Sequence, residues 1–146
     1  AMLGNGTHGF LLDTRVTGDL TVTVRVSDGS GHSVQRQCTV TSRYPKFSAM
    51  VQTMSSAALY SDSPMTLIIR STEYAGDYTV SYTTTSTNCR VSYGGSMLRP
   101  DSPVTLEAGQ HIFTANSSYA ERTEFVFTIT DIYGQSQQAQ ASITWR

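Results

Sequence analysis

Histidine, serine and cysteine are the residue types in this chain that could supply a catalytic nucleophile and its base. Nucleophilic catalysis requires a serine or cysteine held beside a base and an orienting group. The chain has three histidines, His8, His32 and His111, and no Gly-x-Ser-x-Gly motif. His8 and His111 occupy equivalent positions of the internal repeat described below, which indicates packing rather than a unique catalytic base. The sequence therefore predicts that the protein is not an enzyme.

Aspartates are the candidate metal ligands. No Cys-x-x-Cys or His-Glu-x-x-His spacing occurs, so a zinc site is not predicted. Asp28 and Asp131 could join Asp62, Asp77 or Asp101 around calcium, because this cation takes oxygen ligands from loops. However, each of these aspartates begins a turn, and capping of the turn explains it fully. The glycine-rich segments do not lead into a helix, so no phosphate cradle is predicted either. We expect neither a metal nor a cofactor.

Exposed aromatic rings could bind a sugar by stacking on its face. Tyr74, Tyr93, Tyr119 and Tyr133 lie in or beside predicted loops, where such rings are accessible. Tyrosine is also common in β-sandwiches, where its ring packs and its hydroxyl reaches water. A carbohydrate partner therefore stays open as an alternative.

Composition argues against nucleic acid as a partner and against a transmembrane segment. The net charge is −1, and only 14% of residues are charged, so nucleic acid is not an expected partner. No run of 18 apolar residues occurs, and no transmembrane segment is predicted.

Cys38 and Cys89 could form a disulfide if their Cα atoms lay within about 7 Å. Their positions in different repeats favour buried or free thiols instead.

An internal repeat dominates the chain. Residues 6–41 align with 109–144 without a gap, and nine of the 36 aligned positions are identical. Unrelated segments would share about two at average residue frequencies. The identical pairs are Gly6/Gly109, His8/His111, Phe10/Phe113, Asp28/Asp131, Gly31/Gly134, Ser33/Ser136, Gln35/Gln138, Gln37/Gln140 and Thr41/Thr144. The same supersecondary unit therefore occurs twice.

Each copy ends in a predicted β-hairpin. Apolar residues alternate with polar ones in 20–26 and 123–129, the period of a half-buried strand. The first strand places Leu20, Val22, Val24 and Val26 on its core side, and the second places Phe125, Phe127 and Ile129 there. An Asp-x-x-Gly turn follows each strand. We predict that Asp28 and Asp131 accept backbone N–H groups there, and that Gly31 and Gly134 supply positive φ angles.

The strands that precede the second hairpin complete a domain. Further strands are predicted near 47–53, 65–71, 77–84, 89–93, 103–107 and 110–117, with no helical period in the chain. About eight short strands in about 100 residues predict an all-β, immunoglobulin-like antiparallel sandwich.

Domain organisation follows from the repeat. Residues 43–146 are predicted to form the complete sandwich. Residues 1–42 are predicted to be the C-terminal strands of an incomplete repeat, about three in number, followed by a linker at Pro45. Such strands need an apolar face covered. We expect them to pack on a neighbouring repeat or on a second molecule, where strand exchange would give a dimer.

The second repeat resembles the TraQ family of exported proteins encoded by conjugative transposons of gut bacteria. The residues that carry the resemblance are Tyr78 and Tyr82, Gly94 and Gly95, Pro100 or Pro103, Phe113 with Ser117 and Ser118, and the run from Asp131 to Gln135. The resemblance implies an immunoglobulin-like fold without known catalysis. TraQ proteins look like single small domains, whereas this chain carries a second, incomplete copy. That difference favours a larger tandem-domain surface protein.

These inferences lead to one function and two alternatives. The sequence favours a non-catalytic structural, adhesive or protein-interaction module of an exported bacterial protein. We expect it at the cell surface or in the periplasm, anchored through a part of the protein outside this sequence. One alternative is an accessory protein of a conjugation apparatus, as the resemblance implies. The other is a carbohydrate-binding module of a larger enzyme. Neither the ligand nor the partner is specified by the residues.

Overall fold

The computed structural model describes residues 1–14 and 16–146, and within them the chain is all-β. Twelve strands lie in the described residues. They are β1 (Gly18–Ser27), β2 (Ser33–Ser42), β3 (Ser48–Thr53), β4 (Ser56–Ala57), β5 (Ser63–Arg70), β6 (Tyr78–Thr84), β7 (Cys89–Tyr93), β8 (Ser96–Leu98), β9 (Val104–Leu106), β10 (Gly109–Ser117), β11 (Arg122–Thr130) and β12 (Ser136–Trp145). None of the described segments is a helix that could cross a membrane. The chain separates into two compact units, Ala1–Tyr44 and Pro45–Arg146.

The Pro45–Arg146 unit is a sandwich of two five-stranded sheets. One sheet has the strand order β3-β5-β10-β7-β8, and the other has the order β4-β12-β11-β6-β9. All pairings are antiparallel except that of the two-residue strand β4 with the end of β12. The prediction of an all-β sandwich is confirmed. Sequence patterns missed only the short strands β4 and β8, which show no apolar–polar alternation.

The core lies between the two sheets. Along β11, Thr123, Phe125, Phe127 and Ile129 are fully buried, and the residues between them face outward. The Phe127 ring meets Phe113 of the opposite sheet at a centroid distance of 5.1 Å. Burying a side chain of this size stabilises the fold by about 1.5–3 kcal/mol. The core therefore depends on side chains that only a second sheet can cover.

The Ala1–Tyr44 unit contains a single hairpin. Strands β1 and β2 pair along their full length, from Gly18 opposite Ser42 to Ser27 opposite Ser33. Leu20 and Val22 are half-buried, while Val24 and Val26 are exposed. The prediction that this face is a core side is therefore wrong for the described unit, because no second sheet lies within residues 1–14 and 16–44 to cover it.

The third strand expected in the first unit does not form. Residues 6–14 align with the whole of β10, but no strand is present among them. In the complete sandwich, β10 is held between β5 and β7 by ladder hydrogen bonds on both edges. The first unit has no counterpart of β5 or β7 among its described residues, so the backbone of 6–14 has no ladder partner.

Candidate functional site

The two Asp-x-x-Gly turns have the same geometry. In the first, Asp28 Oδ1 accepts the backbone N–H groups of Ser30 and His32, each at 2.9 Å. In the second, Asp131 Oδ1 accepts those of Tyr133 and Gln135, also at 2.9 Å. Oδ2 of each aspartate contacts the side chain four residues later: the His32 ring nitrogen at 2.9 Å for Asp28, and the Gln135 amide at 2.6 Å for Asp131.

Backbone conformation repeats as well. Gly31 and Gly134 have φ angles of +89° and +83°, in the region that favours glycine. Each glycine N–H donates to the carbonyl of its aspartate, at 3.4 Å and 3.2 Å respectively. The four predicted turn residues therefore lie in two equivalent turns, where they organise backbone and do not converge on a pocket.

The environments of the two aspartates differ. Asp28 is exposed. Its hydrogen bond with the His32 side chain lowers its pKa from the ordinary value of 3.8, and the hydrogen bond with the His32 backbone contributes in the same direction. Asp131 is only 7% exposed, and the Gln135 amide that binds it also donates to the Pro45 carbonyl at 2.9 Å. The second turn is thus tied to the start of its own sandwich.

The paired histidines also have equivalent contacts. His8 Nε2 lies 2.7 Å from the Gly4 carbonyl, and His111 Nε2 lies 2.8 Å from the Glu107 carbonyl. His111 additionally contacts the Tyr93 hydroxyl through Nδ1 at 3.0 Å. These bonds orient each ring on the chain four residues earlier, which is a structural role in both copies.

The four tyrosines proposed for sugar stacking divide into two kinds. The Tyr93 ring packs on Phe113 with a centroid distance of 4.8 Å. Tyr74 lies edge-on to Tyr78 and Tyr133, and burial raises its pKa. Tyr119 is 63% exposed, and Tyr133 is also exposed at the turn. Tyr93 and Tyr74 are therefore packed rings and not open platforms.

Both cysteines are free thiols. Cys38 is exposed on β2, whereas Cys89 is buried at the start of β7. Burial raises the pKa of Cys89 to about 11, which keeps this thiol protonated and unreactive at neutral pH. Among the described residues, no three His, Cys, Asp or Glu side chains group closely enough to hold a metal ion.

A cleft of about 220 Å³ lies at one end of the sandwich, and sequence analysis missed it. Its lining residues are Tyr60, Asn88, Arg90, Asn116 and Ser118. They come from three separate loops and from the adjoining ends of β7 and β10. Only the pairing of these strands, which places Arg90 opposite Asn116, brings them together. No motif in the linear sequence signals such a convergence.

The loops around the cleft are fixed by hydrogen bonds. The Tyr60 backbone N–H donates to the Ser117 carbonyl at 2.9 Å, and Asn116 Nδ2 donates to Asp62 Oδ1 at 2.9 Å. On the other side, Ser86 Oγ donates to Glu121 and accepts the Asn88 N–H. The lining is therefore largely pre-formed, as ligand sites usually are.

Comparison with known proteins identifies the fold but no family. No protein-family model and no curated protein sequence matches the chain. A conjugative transposon lipoprotein from Bacteroides eggerthii superposes with a TM-score of 0.60 at 14% identity, covering 69% of this chain and 98% of that one. A lipoprotein from Bacteroides thetaiotaomicron superposes with a TM-score of 0.59 at 16% identity, covering 72% and 83%. The CARDB domain of the PF1109 protein from Pyrococcus furiosus gives 0.48 at 8% identity, covering 73% and 93%.

The fold places the chain among small β-sandwich modules. The share of the chain that superposes on the two Bacteroides proteins is close to the share occupied by the Pro45–Arg146 unit. At this level of identity the likeness establishes a common fold. TraQ membership stays a hypothesis.

Proposed function

We propose that this chain is a non-catalytic interaction module of an extracytoplasmic protein built from tandem β-sandwich repeats. The single observation that carries the proposal is the register of the two hairpins. Nine of the ten residue pairs of β1 and β2 correspond to the nine pairs of the terminal strands of the complete sandwich after a shift of 103 positions. The first unit would then be the end of a repeat whose other strands come from a neighbouring segment.

The segment before the first hairpin supports this proposal. Gly6 and Gly109 have φ angles of +140° and +137°, and the adjacent histidines bind equivalent carbonyls. Yet Phe10 is 69% exposed, whereas its counterpart Phe113 is 1% exposed. The local geometry of a repeat is thus present without the strands that would bury its apolar side chains.

The complete sandwich indicates what the missing cover would be. Strand β6 pairs with β11 so that Tyr82 lies opposite Phe127 and Val80 opposite Ile129. A strand of the same kind, with alternating apolar residues, would pair with the free edge of β1 and face Val24. Because the chain already contains two copies of the repeat, a neighbouring repeat of the same protein is the partner that best supplies such a strand. A strand-exchanged second copy is the alternative.

Hydrogen exchange together with light scattering tests this proposal. We expect the 146-residue chain to be a monomer in which the amides of β1 and β2 exchange faster than those of β11 and β12. A fusion that places a copy of residues 45–108 directly before Gly6 should slow exchange in β1, and Val80→Asp in the added copy should abolish that gain. A dimer of the unmodified chain with β1 protected would contradict the neighbouring-repeat arrangement and favour strand exchange.

The cellular setting is also a proposal. The likeness to two Bacteroides lipoproteins, one from a conjugative transposon, supports placement outside the cytoplasm with an anchor elsewhere in the protein. Protease treatment of intact cells and of cells with a permeabilised outer membrane should degrade the protein in at least one case. Resistance in both would place it in the cytoplasm. Loss of conjugative transfer after gene deletion would favour the conjugation accessory over a general adhesive role.

A further inference from the structure

We propose that the cleft lined by Tyr60, Asn88, Arg90, Asn116 and Ser118 binds one ring of a saccharide that carries a carboxylate. This inference concerns the complete sandwich and does not depend on the proposed completion of the first hairpin. The cleft is smaller than the roughly 300–1,000 Å³ of pockets for drug-sized ligands, so it suits a single sugar ring.

Tyr60 provides the surface for stacking. Its side chain is 74% exposed, and its ring contacts no other aromatic ring in the described part of the chain. Its φ angle of +59° is uncommon for a bulky residue and lies in the turn that the Ser61 N–H closes on the Ala58 carbonyl at 3.3 Å. The exposed ring beside the cleft is therefore available to stack on a sugar.

Arg90 determines the expected charge of the ligand. It is the charged residue among those described as lining the cleft, and its guanidinium forms no hydrogen bond or ion pair with the described residues. A guanidinium presents paired N–H donors that match the two oxygens of a carboxylate. A planar carboxylate on the sugar therefore fits this side of the cleft.

The remaining lining groups suit hydroxyls. Asn88, Asn116 and Ser118 can donate and accept hydrogen bonds, as the alternating demands of sugar hydroxyls require. Asn116 already donates to Asp62, which fixes its amide in place. The apolar face of the sugar ring would thus meet Tyr60, its carboxylate would meet Arg90, and its hydroxyls would meet the amide and serine side chains.

The cleft lies far from the point where the chain enters the sandwich. It lies at the start of β11, while the turn that binds Pro45 lies at the other end of this nine-residue strand, about 30 Å away. The entry of the chain into the sandwich is therefore far from the cleft.

Titration monitored by amide chemical shifts tests the inference, with glucuronate and galacturonate oligosaccharides as probes and uncharged glucose oligosaccharides as the comparison. We expect shifts confined to the cleft residues and a preference for the acidic probes. Arg90→Gln should weaken the binding of the acidic probes about tenfold, because one charge-assisted hydrogen bond is lost. The matched control Arg70→Gln, at the far end of β5, should leave binding unchanged. Equal binding of acidic and neutral probes, or of an acidic peptide, would overturn the assignment.

Variants of Tyr60 separate binding from stability. Tyr60→Phe keeps the ring and should bind within about twofold of the natural protein, whereas Tyr60→Ala should lose about tenfold. Tyr60→Gly removes the ring and relieves the strained φ, so it should raise Tm while weakening binding about tenfold, as Tyr60→Ala does. Unchanged binding by Tyr60→Gly, or no shifts with any saccharide at millimolar concentration, would also overturn the proposal.

Discussion

The two hairpins of this protein share a local structure and differ in what covers them. Their registers, turn hydrogen bonds and glycine conformations correspond position by position. However, Val26 is 56% exposed, whereas its counterpart Ile129 is fully buried. The comparison teaches that an Asp-x-x-Gly turn and alternating residues are sufficient for a hairpin, while burial of its apolar face depends on strands far away in the chain.

Shortening an apolar side chain at the same repeat position in each hairpin should give the largest difference in stability between the two hairpins. Phe127→Ala leaves a cavity against Phe113 and Tyr82, so we expect a loss of about 3–5 kcal/mol in the free energy of unfolding. Val24→Ala at the matching exposed position should cost less than about 0.5 kcal/mol. Urea unfolding is followed for both variants by the fluorescence of Trp145, which is buried in the sandwich, and only Phe127→Ala should shift the midpoint.

A comparable shift of the midpoint by Val24→Ala would contradict this comparison. It would mean that the face of the first hairpin belongs to the same cooperative core as Phe127.

Removing the turn carboxylate should have an intermediate effect. Asp131→Ala leaves the Tyr133 and Gln135 N–H groups without the acceptor that the buried Asp131 carboxylate provides, and we expect a cost of about 1–3 kcal/mol. Asp131→Asn retains one acceptor oxygen and should cost less. Asp28→Ala, in the exposed turn, should leave the Trp145 transition unchanged and alter only amide shifts of the first hairpin. Equal destabilisation by the two alanine variants would show that the two turns are energetically alike.

Cysteine labelling should have the smallest energetic consequence but gives a direct readout of burial. At pH 8 we expect a thiol reagent to modify Cys38 rapidly and Cys89 only after unfolding, since Cys89 is buried with its pKa raised to about 11. Because the folded pKa lies above the ordinary 9.0, the protonated thiol favours the fold below pH 9, and this contribution is lost as pH rises toward 11.

Cys38→Ser is the control for the labelling experiment and should remove the rapid phase. Rapid modification of two thiols in the folded natural protein would instead show that the start of β7 opens readily.

The sequence predicted the features that depend on neighbouring residues. The alternation along 123–129 and the Asp-x-x-Gly turns specified both hairpins, because strand period and turn capping are short-range properties. The same patterns also gave most strands of the sandwich and hence its all-β class. They failed for β4, which has two residues, and for β8, whose Ser-Met-Leu sequence does not alternate.

Only the tertiary structure decided which equivalent residues are core and which are surface. Phe10 and Phe113 share a position in the repeat, but one is exposed and the other buried, because β5 and β7 pair with only one of the two segments. The cleft arose in the same way, since Tyr60, Arg90 and Asn116 meet only after the sheet and its end loops are assembled. Local sequence determines how a strand and its turn form, whereas burial and convergence depend on contacts between residues distant in the chain.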